Sequence, residues 1–371
     1  MSENPLRICH LTYVHNRYDV RIFHKECKSL ASAGFDVSFI VADGLPDEIK
    51  DGIKIYGVPK EASKIKQILR ATKNVYKKAV ELNADVYHFH DPPLLPYGNK
   101  LKRLGKTVIF DSHEDFPRQI QGRSWVPGIF SGMVAYVLEK YEDYCCRKYD
   151  TIISATPYIN ERFKKVNTSA VNINNYPFLN EFKIESSAQG KKEPNSICYI
   201  GGITEIRGLT YVIRALEGTN IKLHLAGGIV PQAFEEKLRS EAGWKNVEYH
   251  GHVSREQLRE ILNVSVAGIV TFLPLPNHVN AQPNKFFEYM SSSIAVIGSN
   301  YPLWKAIIEG HNCGLCVDPQ DVEAIRKAME YFVDNPAETE AKGKNGRKAI
   351  EEVYNWEQEE KKLVALYESF M

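Results

Sequence analysis

Residues 6–41 read LRICHLTYVHNRYDVRIFHKECKSLASAGFDVSFIV, and the order of patterns in this stretch decides the fold class. Leu6 to Thr12 is short and mostly apolar, as expected of a buried strand, and Tyr13 to Tyr18 is a polar loop. Asp19 then stands where a helix N-cap is needed, and Ile22, Cys27, Leu30 and Ala31 recur at helical spacing up to Gly34. Val37 to Val41 makes a second strand. Strand, helix, strand is the opening of an α/β domain with a parallel sheet. No Gly-x-Gly-x-x-Gly follows the first strand, which argues against dinucleotide binding.

The same alternation continues. Asp85 to Phe89 is a strand running into His88-Phe-His-Asp-Pro-Pro, Thr107 to Phe110 runs into Asp111-Ser-His-Glu-Asp, and Thr151 to Ser154 is a further strand. Ligands of open α/β sheets bind beyond the carboxyl ends of the strands, so His90, Asp91, His113 and Glu114 are candidate site residues. The plainer reading is that Asp91 and Asp115 cap the helices that follow. Glu185 to Asn195 is polar and has the composition of a linker. A second series starts at Ser196: strand Ile197 to Ile200, the turn Gly201-Gly-Ile-Thr-Glu-Ile-Arg-Gly208, and a helix through Tyr211, Val212, Ile213 and Leu216. Lys222 to Ala226, Val247 to Tyr249, Ala267 to Val270 and Ala295 to Ile297 are its further strands. Two parallel-sheet domains facing across a cleft follow from this pattern, with the amphipathic helix Trp356 to Phe370 long enough to cross back onto the first.

At 371 residues the chain can bury two cores. Lys plus Arg (47) nearly cancels Asp plus Glu (46), so no global field attracts nucleic acid. Met-Ser-Glu-Asn-Pro lacks the regions of a signal peptide, and seven cysteines, an odd number, suit a reducing compartment; both predict a cytosolic protein. Cys313 and Cys316 have redox spacing but read as buried thiols. The uncharged run Asn263 to Asn284 contains Pro274 and Pro276 and is no membrane span. Lys60 to Val80 is helical in pattern and basic, through Lys64, Lys66, Arg70, Lys73, Lys77 and Lys78; it reads as the solvated face of a core helix or as a contact with an anionic membrane. Trp125 to Leu138 is apolar and aromatic, and packing is the expectation there, with lipid docking as the alternative.

The stretch His278-Val-Asn-Ala-Gln-Pro-Asn-Lys-Phe-Phe-Glu-Tyr-Met290 carries the most chemistry. Pro283 suits the first turn of a helix whose apolar side is Phe286, Phe287 and Met290. A helix start repels cations unless an anion lies before it, and Lys285 sits in that turn. Glu288, one turn on, can accept bonds from a pair of hydroxyls. Lysine and helix N-terminus for phosphate, with carboxylate for ribose, describe a nucleoside-diphosphate site.

On these residues the chain resembles the retaining glycosyltransferases of family 4, of GT-B fold, over essentially its whole length. The resemblance implies an N-terminal Rossmann-like acceptor domain (1–184, with the C-terminal helix 355–371), a linker (185–195) and a C-terminal Rossmann-like donor domain (196–354). In the family a strand ends in Gly-Arg, five positions before Lys-Gly, and the two cations grip the donor diphosphate. Here Gly202 takes the Arg position and Arg207 the Lys position. Of the family's two glutamates separated by seven residues, Glu288 matches the second, which holds the donor ribose, and Asn280 stands at the first. The donor-side residues implied are Gly202, Arg207, Asn280, Pro283, Lys285 and Glu288. His113 matches the histidine beside the transferred sugar, so His113 and Glu288 are the catalytic candidates. His15, Asp19, Arg21, His90, Asp91 and Glu114 are the acceptor-side candidates. The run from Asp19 to Glu26 resembles a subgroup that builds bacterial capsule and O-antigen polysaccharides.

The function so implied is metal-independent, retaining transfer of a sugar from a nucleoside-diphosphate sugar, a UDP-sugar, to a lipid-linked or saccharide acceptor, without a cofactor and with closure of the two domains excluding water. No Asp-x-Asp occurs in the chain. The expected location is the cytoplasm, with peripheral contact at the inner face of the plasma membrane through 60–78. The alternatives are a sugar-nucleotide 2-epimerase of the same fold and a non-catalytic scaffold that binds sugar nucleotide.

Overall fold

The computed structural model describes residues 5–121, 128–182 and 192–371 and divides into two compact units, Met1–Asn175 with Gln358–Met371, and Tyr176–Glu357. The expected linker, 185–195, lies mostly outside the described residues. The chain passes to the second unit at Tyr176, ahead of position 184, and the C-terminal residues from Gln358 belong to the first unit.

The first unit is built on eight strands, β1 (Arg7–Thr12), β2 (Asp36–Val41), β3 (Glu48–Lys50), β4 (Ile53–Gly57), β5 (Val86–Phe89), β6 (Thr107–Ser112), β7 (Thr151–Ser154) and β8 (Val171–Asn172). Their order is β3-β4-β2-β1-β5-β6-β7-β8, parallel except for the β3–β4 hairpin. The chain moves outward from β1 through β2 and then returns to place β5 on the other side, with Ile8 opposite both Val37 and Val86. The topological switch therefore lies between β1 and β5, where a ligand crevice is expected. Strands such as β5 and β7 are buried at every position, as parallel strands covered on both faces must be.

The second unit has β9 (Ser196–Ile200), β10 (Lys222–Ala226), β11 (Val247–Gly251), β12 (Ala267–Val270), β13 (Ala295–Ser299) and β14 (Gly314–Val317), in the order β11-β10-β9-β12-β13-β14, all parallel. Here the switch lies between β9 and β12. Each unit buries its own apolar core.

Three local expectations are corrected. The basic stretch from Lys60 is not one regular helix: it starts after Ser63, which accepts from Lys66 N, and runs as Lys64–Lys66, a π-helical turn Gln67–Ala71 and Thr72–Leu82. Ala71, Val75 and Ala79 face the core, while Ile65, Ile68 and Leu69 are exposed beside the cations. The apolar segment expected to pack forms the helix Gly128–Cys146, Trp125 to Pro127 lying outside the described residues, and it leaves Met133, Tyr136 and Val137 in solvent. Asp91 does not cap the helical turn that follows it; its Oδ2 accepts from Thr12 Oγ1 (2.7 Å) and Tyr13 N (2.8 Å) instead. Among the described residues no helix is long and apolar enough to cross a membrane.

Candidate functional site

The donor-side residues gather at the carboxyl ends of β9 and β12. Pro283 occupies the N-cap position of the helix Asn284–Ser291, so Lys285 falls in its first turn and Glu288 one turn later. Phe286, Phe287, Tyr289 and Met290 are buried and hold that helix on the sheet. Trp304 Nε1 donates to Ala281 O (2.8 Å) and fixes the loop that leads into it. Tyr289 OH accepts from Ile200 N (3.3 Å), tying the helix to the end of β9.

Gly201 is required where it stands. Its φ is +108°, and a Cβ on it would lie 2.7 Å from both Cε and Nζ of Lys285. The lysine stem therefore lies against a bare backbone at the end of the strand. Gly208 has the same role for the second cation. At φ +75° it lets the Glu205–Arg207 turn approach Thr271, whose carbonyl oxygen would be 1.9 Å from an added Cβ. Leu273 N bonds Ile206 O (3.0 Å) across this approach, and the Arg207 guanidinium rests 4.1 Å from the centre of the Phe272 ring. Lys285 Nζ lies 5.6 Å from the same ring and from Tyr199. Two cations thus converge on one aromatic floor, and among the described residues neither has an ion-pair partner. Burial lowers the Lys285 ammonium to about 8, Glu288 opposing and Arg207 adding to the effect. Like charges so placed favour a bound anion. Gly202 is exposed and Asn280 half-buried at the end of the short helix Pro276–Val279, beside His278, whose Nδ1 is 3.0 Å from Leu273 O.

The first-unit candidates lie at the carboxyl ends of β1, β5 and β6, around one buried ion pair. Asp19 accepts from Arg21 N (2.9 Å) and Ile22 N (3.0 Å), starting a π-helical segment Val20–Cys27 that aims Arg21 inward. Arg21 donates through Nε and Nη2 to the two Asp111 oxygens, each at 2.9 Å, and through Nη1 to Ile173 O (3.1 Å). Asp111 Oδ2 also lies 2.9 Å from His113 Nε2 and 3.2 Å from His90 Nδ1. His90 Nε2 is 3.0 Å from His10 Nδ1, so one ring donates to the other. Burial pushes Asp111 up, but Arg21 and the two imidazoles outweigh it and hold the carboxylate well below its usual range. Glu26, buried 3.1 Å from Arg21 Nε, goes the other way: burial and then the Asp111 charge push it well above the carboxylate range. Burial lowers His90 to about 4. Glu26 and the buried imidazoles of His10, His88 and His90 are therefore held toward their neutral forms beside the Arg21–Asp111 ion pair.

His15 and Asp19 border the opening. His15 Nδ1 is 3.5 Å from Asp19, its Nε2 is 3.4 Å from Asp91, and its ring centre is 5.0 Å from that of His113. Burial works against protonation of His15, yet the two carboxylates raise it. Glu114 departs from the group: it is exposed and bonded by Gln119 Nε2. His10, Glu26, His88 and Tyr367 were not singled out as site residues by the sequence. His88 Nδ1 meets Tyr367 OH at 2.7 Å, which brings the C-terminal segment to the cluster. Glu26 lies four residues after Ile22 on the inward helical face, a position where a carboxylate is itself a signal. For Phe272, Tyr199 and His10 only their place at or in strands could have served.

Among the described residues three groups have ligand atoms close enough for a metal: His10, Glu26, His88 and His90; His90, Asp111 and His113; and His224, Glu248 and His250. In the first two, the Arg21 guanidinium is the positive charge already on the carboxylates.

This architecture, paired parallel-sheet units with basic residues at a strand switch, is that of the GT-B glycosyltransferases. The sucrose-phosphate synthase of Thermosynechococcus elongatus superposes with a TM-score of 0.79 at 16% identity, covering 98% of each chain. Anabaena HepE in complex with UDP-glucose superposes at 0.74 and 12% identity, covering 98% of this chain and 100% of that one. In sequence, residues 20–173 match the Glycosyltransferase Family 4 model and residues 181–349 match that of the group 1 glycosyl transferases. The chain belongs to this family and is a glycosyltransferase. Among relatives, the D-rhamnosyltransferase WbpZ of Pseudomonas aeruginosa is 23% identical over 299 residues, 76% of this chain and 73% of that protein.

Proposed function

We propose that the protein is a retaining, metal-independent glycosyltransferase that takes its sugar from a UDP-sugar and passes it to a lipid-linked or saccharide acceptor in the assembly of a bacterial surface polysaccharide. The observation that carries this reading is the convergence of Arg207 and Lys285 on the Phe272 ring at the β9–β12 switch. A diphosphate set there gains charge as the glycosidic bond breaks, and two fixed cations stabilise that change more than they stabilise the bound donor. They supply the charge that a divalent ion supplies elsewhere, which is the basis for metal independence. Glu288 takes the ribose hydroxyls. Asn280 bonds sugar hydroxyls without stabilising positive charge, so the oxocarbenium character is matched by the leaving phosphate on the same face, as retention requires. In the first unit His113, held by Asp111, is the residue for the sugar and acceptor. The basic stretch 60–78 is proposed as a peripheral contact with an anionic bilayer at the inner face of the plasma membrane.

UDP-glucose in the structure of HepE supports the donor, and the D-rhamnosyltransferase among the relatives supports transfer of a sugar. A thermal-shift panel of UDP, GDP, ADP and CMP tests the donor site, since a ligand of the folded state raises the melting temperature by mass action. A shift with UDP that vanishes in Arg207→Ala is expected. No shift with any nucleotide would overturn the donor-site assignment, and a UDP shift without turnover in the presence of acceptor would favour the scaffold alternative, for which the departures at Gly202 and Asn280 speak. Conversion of a UDP-sugar without any acceptor would instead point to the 2-epimerase.

A further inference from the structure

The helix Gly128–Cys146 carries an apolar stripe that nothing in the transfer reaction uses. Met133, Tyr136, Val137, Tyr141 and Tyr144 recur at spacings of three and four, so they share one face over about three turns. All are 41–66% exposed. The charges of the helix are sorted around them. Its acids are turned away and paired within the unit: Glu139 with Arg118, Glu142 and Asp143 with Arg162. Lys140 on the helix, and Arg147 and Lys148 in the turn just after its last residue, are exposed. Lys148 Nζ lies 3.4 Å above the Tyr144 ring and Lys140 Nζ 5.3 Å from that of Tyr136, Lys140 also standing 4.0 Å from Asp143.

We infer that this stripe docks the first unit on an anionic lipid bilayer. Tyrosine rings with polar tips and lysines with long apolar stems are the side chains that settle at a membrane–water interface, the ring in the acyl boundary and the ammonium among the phosphates. A face of five apolar or aromatic residues flanked by three cations and no exposed acid complements an anionic surface in both respects. The inference does not rest on the glycosyl-transfer reading, and it is separate from the contact proposed for 60–78.

Co-sedimentation of the full chain with vesicles tests it. Wild type binds phosphatidylcholine vesicles containing phosphatidylglycerol, and the binding falls with salt; phosphatidylcholine alone binds weakly. The triple variant Y136S/V137S/Y141S loses at least tenfold in vesicle affinity, and K140Q/R147E/K148E loses anionic-vesicle binding altogether. Both keep the wild-type melting temperature, because every changed side chain is exposed, and both keep the UDP response, which separates this test from that of the donor site. Wild-type vesicle binding by both variants would overturn the inference. So would absence of vesicle binding by the wild-type chain together with a dimer in light scattering that Y136S/V137S/Y141S dissociates, since the stripe would then be covered by a second copy.

Discussion

Replacing Lys285 by Met keeps the apolar stem against Gly201 and removes the charge. The ammonium is held at about 8 rather than its ordinary 10.5. At about 1.36 kcal/mol for each tenfold change in protonation, keeping it charged at pH 7 costs about 3 kcal/mol, an upper bound because the side chain is half-buried and partly screened. A gain of about 1–2 kcal/mol is therefore expected for ligand-free Lys285→Met, or about 3–6 °C in melting temperature for a unit of this size. The sign with pH follows. Between 8 and 10.5 the unfolded chain binds the proton that the folded chain has released, so wild-type stability rises with pH in that window, and the rise is absent from the variant. Binding moves oppositely. Loss of one charge-assisted contact to the diphosphate costs about 2–3 kcal/mol, or about 30–150-fold in UDP affinity. Calorimetric melting at pH 7 and pH 9.5, with and without UDP, reads both effects. A variant no more stable than wild type at pH 7, with its UDP shift intact, would refute the reasoning.

Gly201→Ala places a Cβ 2.7 Å from the lysine's Cε and Nζ at a φ of +108°; a loss of about 1–3 kcal/mol in chemical denaturation and of the UDP response is expected. In the first unit, Arg21→Ala leaves Asp111 charged and buried and should cost about 3–5 kcal/mol. Glu26→Gln should instead be neutral or stabilising at pH 7: a carboxyl raised by burial must take up a proton on folding, and an amide need not. A Glu26→Gln loss as large as that of Arg21→Ala would show that Glu26 is charged. Tyr367→Phe removes the 2.7 Å bond to His88 and should cost about 1–2 kcal/mol, read as a lower denaturation midpoint.

The parallel strands were legible because their burial on both faces leaves continuous apolar runs, as in Leu6 to Thr12 and Ile197 to Ile200. The β3–β4 hairpin was missed although Asp51-Gly52, with φ of +52° and +79°, is the sequence of a two-residue turn; the three-residue strand Glu48–Lys50 has too little pattern to flag it. Asp19, His113 and Lys285 were legible because caps, strand ends and helix starts have local signatures. The buried polar cluster was only partly so. Periodicity sends polar residues to the surface, and the partners that justify burying Arg21 and Glu26 come from Asp111 and the β5 histidines, far along the chain. The tyrosine stripe was read as packing because an apolar helix announces that it avoids water, not which of its faces another element covers.

The central claim, that Arg207 and Lys285 grip a donor diphosphate, is tested most directly by titration calorimetry of UDP, UMP and uridine against wild type and R207A/K285M. The account predicts tight UDP binding, weaker UMP binding, little with uridine, and loss of the UDP preference in the double variant. Equal UDP affinity in the two proteins, or no heat with UDP at all, would contradict it.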